Sequence, residues 1–130
     1  MQSFEIEEHD FTPRVLFDTT QNEFSLTGES YVEHAYEFYK PILDWLENYL
    51  SINERPITFH FQLTYFNTPS SAILFQILQL LEAAHIKRKI PVKVYWCVPE
   101  NNEAVLEEGE LFKEDFIALP IELITSKAVA

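Results

Sequence analysis

The stretch Pro56–Tyr65 alternates strictly, with Ile57, Phe59, Phe61, Leu63 and Tyr65 on one side and Thr58, His60, Gln62 and Thr64 on the other. A period of two predicts a strand, and its polar but uncharged second face predicts a central strand that is only partly covered. Val92–Val98 reads as a second strand, ended by Pro99, and Pro120–Ile124 offers a last one. Near the start, Phe4–Glu7 alternates over a few residues, and Arg14–Asp18 and Glu23–Thr27 flank a polar loop in the manner of a hairpin that Gly28 closes. Between these segments the period lengthens. Tyr31, Ala35, Phe38, Tyr39, Ile42, Trp45, Leu46 and Tyr49 recur at three- and four-residue steps, which predicts an amphipathic helix. Ser30 with Glu33 predicts its capping box, and Pro41 predicts a kink or a junction of two helices near Lys40.

A second helix is predicted over Ala72–Leu81, apolar nearly all round and therefore deeply buried, with Lys87-Arg88-Lys89 complementing the dipole at its end. Asn101 or Asn102 predicts the cap of a third helix running to about Phe112. After the hairpin, helices and strands alternate. The expectation is an α/β fold, a mixed sheet with helices packed on it through right-handed crossovers. One domain is expected over residues 1–130, with its core at about 4–125 and a frayed end at Ala128-Val129-Ala130.

Composition narrows the function classes. An apolar fraction of 47% argues against disorder, and no apolar run reaches the ~18 residues needed to span a bilayer. The first residues are acidic where a signal peptide is basic and then apolar, and Cys97 has no partner for a disulfide, so the expected location is the cytoplasm. Net charge is −12, and residues 1–54 hold twelve acids against two bases, Arg14 and Lys40. Such a surface repels phosphate backbones and anionic lipid, so neither nucleic acid nor membrane is an expected partner; a basic or mixed-charge protein is.

Candidate chemistry is sparse. His9, His34, His60 and His85 lack metal-ligand spacing, and glycine occurs only at 28 and 109, so neither a metal site nor a phosphate-cradling loop is expected. Glu7–Glu8 and Glu107–Glu108 lie in polar stretches where carboxylates titrate normally, and Cys97 sits mid-strand in an apolar run where a thiol is inert. Neither a catalytic residue nor a cofactor is expected.

One corner remains, Tyr65-Phe66-Asn67-Thr68-Pro69-Ser70-Ser71. Thr68 reads as an N-cap and Pro69 as the first helical residue, so the segment is a competent helix start whatever else it does. The same end of a helix carries the positive dipole end and unpaired N–H groups, so a phosphate on Thr68 is locally tolerated and adds about −1.5 to −2 charges to the surface.

Several segments together carry a family resemblance: Gly28-Glu29-Ser30-Tyr31, Glu37-Phe38-Tyr39, Trp45-Leu46, the corner at 65–71 and Leu78–Ala84. In their order and spacing, over about residues 24–125, the chain resembles the SiaC family of bacterial regulatory phosphoproteins, whose fold is similar to the STAS-like, anti-sigma-factor-antagonist domains. The resemblance implies phosphorylation at Thr68, and a switch surface of Asn67, Thr68, Ser70 and Ser71 with the outer face of the following helix. It further implies a partner-switching circuit in cyclic-di-GMP signalling. A cognate protein kinase phosphorylates, a PP2C-type phosphatase resets, and the unphosphorylated form binds and activates a diguanylate cyclase. Relatives commonly carry serine where this chain has Pro69. A second expectation, of another class, is a metabolite-sensing module with a pocket lined by Tyr65, Phe66, Tyr95 and Trp96.

Overall fold

The computed structural model describes residues 1–126; the expected frayed end at Ala128–Ala130 lies outside the described residues. In chain order the elements are β1 (Phe4–Ile6), β2 (Arg14–Asp18), β3 (Glu23–Ser30), α1 (Ala35–Ile52), β4 (Ile57–Phe66), α2 (Thr68–Lys87), β5 (Val92–Pro99), α3 (Glu103–Asp115) and β6 (Ile121–Ser126). The six strands form one sheet in sequential order, antiparallel from β1 to β3 and parallel from β3 to β6. Consecutive parallel strands in sequential order, joined with the usual right-handed crossover, put all three helices on the same face.

That face carries the core. Phe17, Phe24, Phe59 and Phe61 are fully buried, and Trp45 and Tyr49 of α1 lie over Phe17 and Phe24 with ring centroids 5.4–5.7 Å apart. Each fully buried phenylalanine contributes about 1.5–3 kcal/mol by leaving water. Trp96 anchors the other half, donating Nε1–H to the Val105 carbonyl at 2.8 Å and meeting Phe112 edge-on. Here α3 comes so close that a Cβ on Gly109 would stand 2.4 Å from Trp96 Cδ1, which is why a glycine sits mid-helix. The opposite face carries no helix and presents Thr27, His60, Gln62 and Tyr95. Cys97 lies there half-buried, and burial pushes its thiol up, only partly offset by the neighbouring Gln62 side chain.

Several expectations change at this level. Ser30 is not a helix cap: β3 continues through it, and its buried hydroxyl bonds to tertiary partners. The first helix begins only at Ala35, with His34 at the cap position making no side-chain bond. Pro41 does not divide it, because packing of the face holding Tyr39, Ile42, Leu43 and Leu46 holds one helix through residue 52. The second helix is not apolar all round; Ile73, Leu74, Ile77, Leu78 and Leu81 face in while Gln76 and Gln79 face water. Finally, the pairing of β3 with β4 skips Thr64, so Tyr65 leaves the inward row and stands exposed, while Phe66 turns in against Trp96.

Candidate functional site

The corner between β4 and α2 lies at the carboxyl ends of the parallel strands, where open α/β sheets place their sites. Asn67, not Thr68, is the N-cap. Its Oδ1 accepts from the Ser70 amide at 3.0 Å with an extended backbone, φ −89° and ψ 175°. Two further bonds fix this asparagine to the preceding connection: its amide donates to the Ser30 carbonyl at 3.1 Å and its Nδ2 to the Val32 carbonyl at 3.1 Å. Thr68 thereby becomes the first helical residue and Pro69 the second, a one-residue shift from the sequence expectation.

The shift decides what each side chain faces. Ser70 is fully buried, its hydroxyl receiving a bond from Ser30 Oγ at 2.7 Å, and Ser30 in turn meets the Tyr39 hydroxyl at 2.7 Å. Burial raises Tyr39 to about 12, only partly offset by the Ser30 bond. This triad fixes the first turn of α2 from below, so Ser70 offers no surface to a partner and acts through position. Thr68, freed from capping, is exposed, and its hydroxyl has no hydrogen bond within the described residues. Ser71 is half-buried and donates to Glu108 of α3 at 2.5 Å.

Thr68 and Ser71 head a cleft of about 600 Å³ between α2 and α3. Its floor is apolar, made by Ala72, Phe75, Leu111 and Phe112, and Glu108 and Asp115 stand in its walls. On the other side of α2, Pro69 borders a second cleft of about 510 Å³ with Glu33 and Glu37. Carboxylates therefore stand on both sides of the start of α2.

The backbone donors here are few. Pro69 has no N–H, the Ser70 amide is taken by Asn67 Oδ1, and the Ser71 amide bonds the Asn67 carbonyl at 2.9 Å. Only the amide of Thr68 itself remains in the first turn. A phosphate on Thr68 would meet the helix dipole but no ready nest of N–H groups, and it would stand among acids. It would stay outward and largely unneutralised by its own chain.

Asn67, Thr68 and Ser71 thus come together at one surface, and Ser70 lies beneath it. Glu108 had no signal in the sequence: it is 37 residues from Ser71 and looks like any other acid of a polar helix. The alternative pocket is not formed. Trp96 is buried on the helix-covered face, Tyr95 stacks on His60 at 5.3 Å on the opposite face, and Tyr65 packs on Tyr31 at 5.4 Å. Among the described residues no group of His, Cys, Asp or Glu could hold a metal ion, and no helix is long and apolar enough to cross a membrane.

The comparisons with known proteins converge. The profile of the SiaC family regulatory phosphoproteins matches residues 6–126. An uncharacterized protein of Pseudomonas aeruginosa (strain UCBPP-PA14) is 38% identical over 104 residues, 80% of this chain and 82% of that protein. Apo-SiaC from P. aeruginosa superposes with a TM-score of 0.86 at 32% identity, over 95% of this chain and 99% of that one. A chain from the complex of the diguanylate cyclase SiaD with its activator SiaC, also from P. aeruginosa, gives 0.87 at 33% identity, again over 95% and 99%.

Proposed function

Because this chain belongs to the SiaC family of regulatory phosphoproteins, we propose that it is a non-enzymatic partner-switching protein of the cytoplasm whose switch is Thr68. In the unphosphorylated state, Asn67, Thr68, Ser71 and the cleft between α2 and α3 dock an effector. By relation to the SiaC that activates SiaD, that effector is a diguanylate cyclase. A cognate protein kinase phosphorylates Thr68 and releases the effector, and a PP2C-type phosphatase resets the protein.

The observation that carries this reading is the state of the Thr68 hydroxyl: exposed, unbonded, and placed at the head of an apolar-floored cleft. A kinase can reach it without unfolding the corner, since Asn67 rather than Thr68 holds the helix start. Once added, the phosphate must be desolvated for any partner to cover the cleft mouth, and it stands beside Glu108 with no backbone nest to share its charge. Release then needs no change of fold.

The test is binding of a purified diguanylate cyclase to wild type, Thr68→Ala and Thr68→Asp, with cyclic-di-GMP formation as a second readout. Thr68→Ala is expected to bind and activate as wild type does. Thr68→Asp is expected to weaken binding by about tenfold or more, a coupling of ~1.4 kcal/mol. Equal binding by both variants would refute the switch.

A further inference from the structure

Beside the switch lies a second surface that the circuit above does not use. Phe11, Tyr31 and Tyr65 are 57%, 50% and 44% exposed, yet they touch one another in a row, with centroids 6.0 Å apart for Phe11–Tyr31 and 5.4 Å for Tyr31–Tyr65. Single exposed apolar residues are ordinary; a contiguous row of three aromatic rings is not.

Two backbone irregularities build this row. Phe11 adopts φ 70°, in the left-handed region that bulky residues rarely enter, and its carbonyl accepts the Tyr31 amide at 2.8 Å. At Thr64 the ladder between β3 and β4 skips a residue, and the skip turns Tyr65 out opposite Glu29. A strictly regular strand would have sent Tyr65 into the core. Both departures act in the same direction, which is to hold rings at the surface.

Charge identifies the occupant. Asp10 adjoins Phe11, Glu29 pairs with Tyr65 in register, and Glu33 lies two residues beyond Tyr31. Within the described residues none of these acids has a basic group within 4.0 Å. Among the described residues the cation–π contact is elsewhere, Lys93 over Tyr95. Exposed ring faces set among unpaired carboxylates match an arginine side chain, whose planar guanidinium stacks on the ring while its N–H fork reaches a carboxylate. We propose that the Phe11–Tyr31–Tyr65 row is a docking surface for an arginine-bearing segment of a partner protein, a site distinct from the cleft.

Tetra-arginine amide is the probe, titrated into the protein at physiological ionic strength while aromatic ring resonances are followed by NMR, with tetra-lysine amide alongside. Ring resonances of Tyr31 and Tyr65 are expected to shift, and arginine is expected to bind more tightly than lysine. A variant carrying Phe11→Asn, Tyr31→Ser and Tyr65→Thr keeps the net charge, and asparagine tolerates the left-handed backbone at position 11. It is expected to bind tetra-arginine roughly fivefold more weakly or worse. An unchanged affinity in that variant, with its fold verified by circular dichroism, would assign binding to the diffuse acidic field and overturn the proposal. So would an absence of ring shifts in the wild-type protein at millimolar peptide. Charge-neutralising Asp10→Asn with Glu29→Gln is expected to weaken both peptides while leaving the preference for arginine.

Discussion

Both ends of the sheet hold a polar cluster, and the two are built on opposite plans. At the amino ends of β3 and β4, Asn22 is buried with both polar atoms of its side chain engaged. Its Nδ2 donates to Asn53 Oδ1 at 3.1 Å and the Pro56 carbonyl at 2.8 Å, and its Oδ1 receives the Tyr49 hydroxyl and the Arg55 guanidinium. Arg88 closes the same end by donating to the Leu50 and Asn53 carbonyls at 2.6 Å each. At the carboxyl ends, the Ser30–Tyr39–Ser70 triad is just as fully bonded, but it supports a residue that is not. Thr68 stands above it with a hydroxyl that takes no hydrogen bond among the described residues. One end consumes all its polar groups in holding the fold; the other holds itself so that one group stays available.

That contrast can be broken most severely at Asn22. Asn22→Ala removes the acceptor of the buried Tyr49 hydroxyl and the donor to the Pro56 carbonyl, and leaves a side chain less tolerant of φ 56°. It is expected to cost roughly 3 kcal/mol, from the Tyr49 hydroxyl and the Pro56 carbonyl left without their partner, measured by urea unfolding, without changing the affinity for an effector. A loss of effector affinity in the still-folded fraction would show that the two ends are coupled.

A slightly smaller effect comes from Tyr39. Its raised pKa means that the folded state keeps the phenolic proton longer than the unfolded state, whose value is the ordinary 10. Stability is therefore full below pH 10 and falls as pH rises from 10 toward about 12. The loss is roughly 2–3 kcal/mol at the top of that window. Tyr39→Phe should flatten this alkaline slope, and an unchanged slope would assign it to another group.

The smallest effect is the sharpest comparison, between residues two positions apart. Ser70→Ala takes a partner from the buried Ser30 hydroxyl and is expected to cost about 1–2 kcal/mol. Thr68→Ala touches no hydrogen bond and is expected to stay within about 0.5 kcal/mol of wild type. Thermal unfolding of the two variants side by side checks this, and comparable losses would mean that Thr68 is structural after all.

Legibility along the chain followed the distance over which a signal acts. Strand β4 was readable from alternation as far as Leu63, but the bulge at Thr64 was not, because it arises from how β3 and β4 register around Gly28. Gly28 itself takes φ +110°, and a Cβ there would meet the Glu8 carboxylate at 2.5 Å, a contact between residues twenty apart. Ser30 has the right neighbours for a capping box, yet tertiary bonds to Tyr39 and Ser70 outcompete the local one. At the corner, Asn67 and Thr68 are both good caps by type; which of them caps was settled by the bonds from Asn67 to Ser30 and Val32, partners 37 and 35 residues away.

By itself, then, the order of residues determined the α/β class, the approximate place of each helix and strand, the acidic surface and the corner that carries Thr68, since all of these depend on local period, local turn chemistry or summed charge. Tertiary structure alone decided that Asn67 takes the cap and Thr68 is left free, that Ser70 is buried, that Glu108 joins the cleft, and that Tyr65 faces out beside Tyr31 and Phe11. Each of those outcomes is a competition between a local preference and a partner far along the chain, and only packing says which partner arrives.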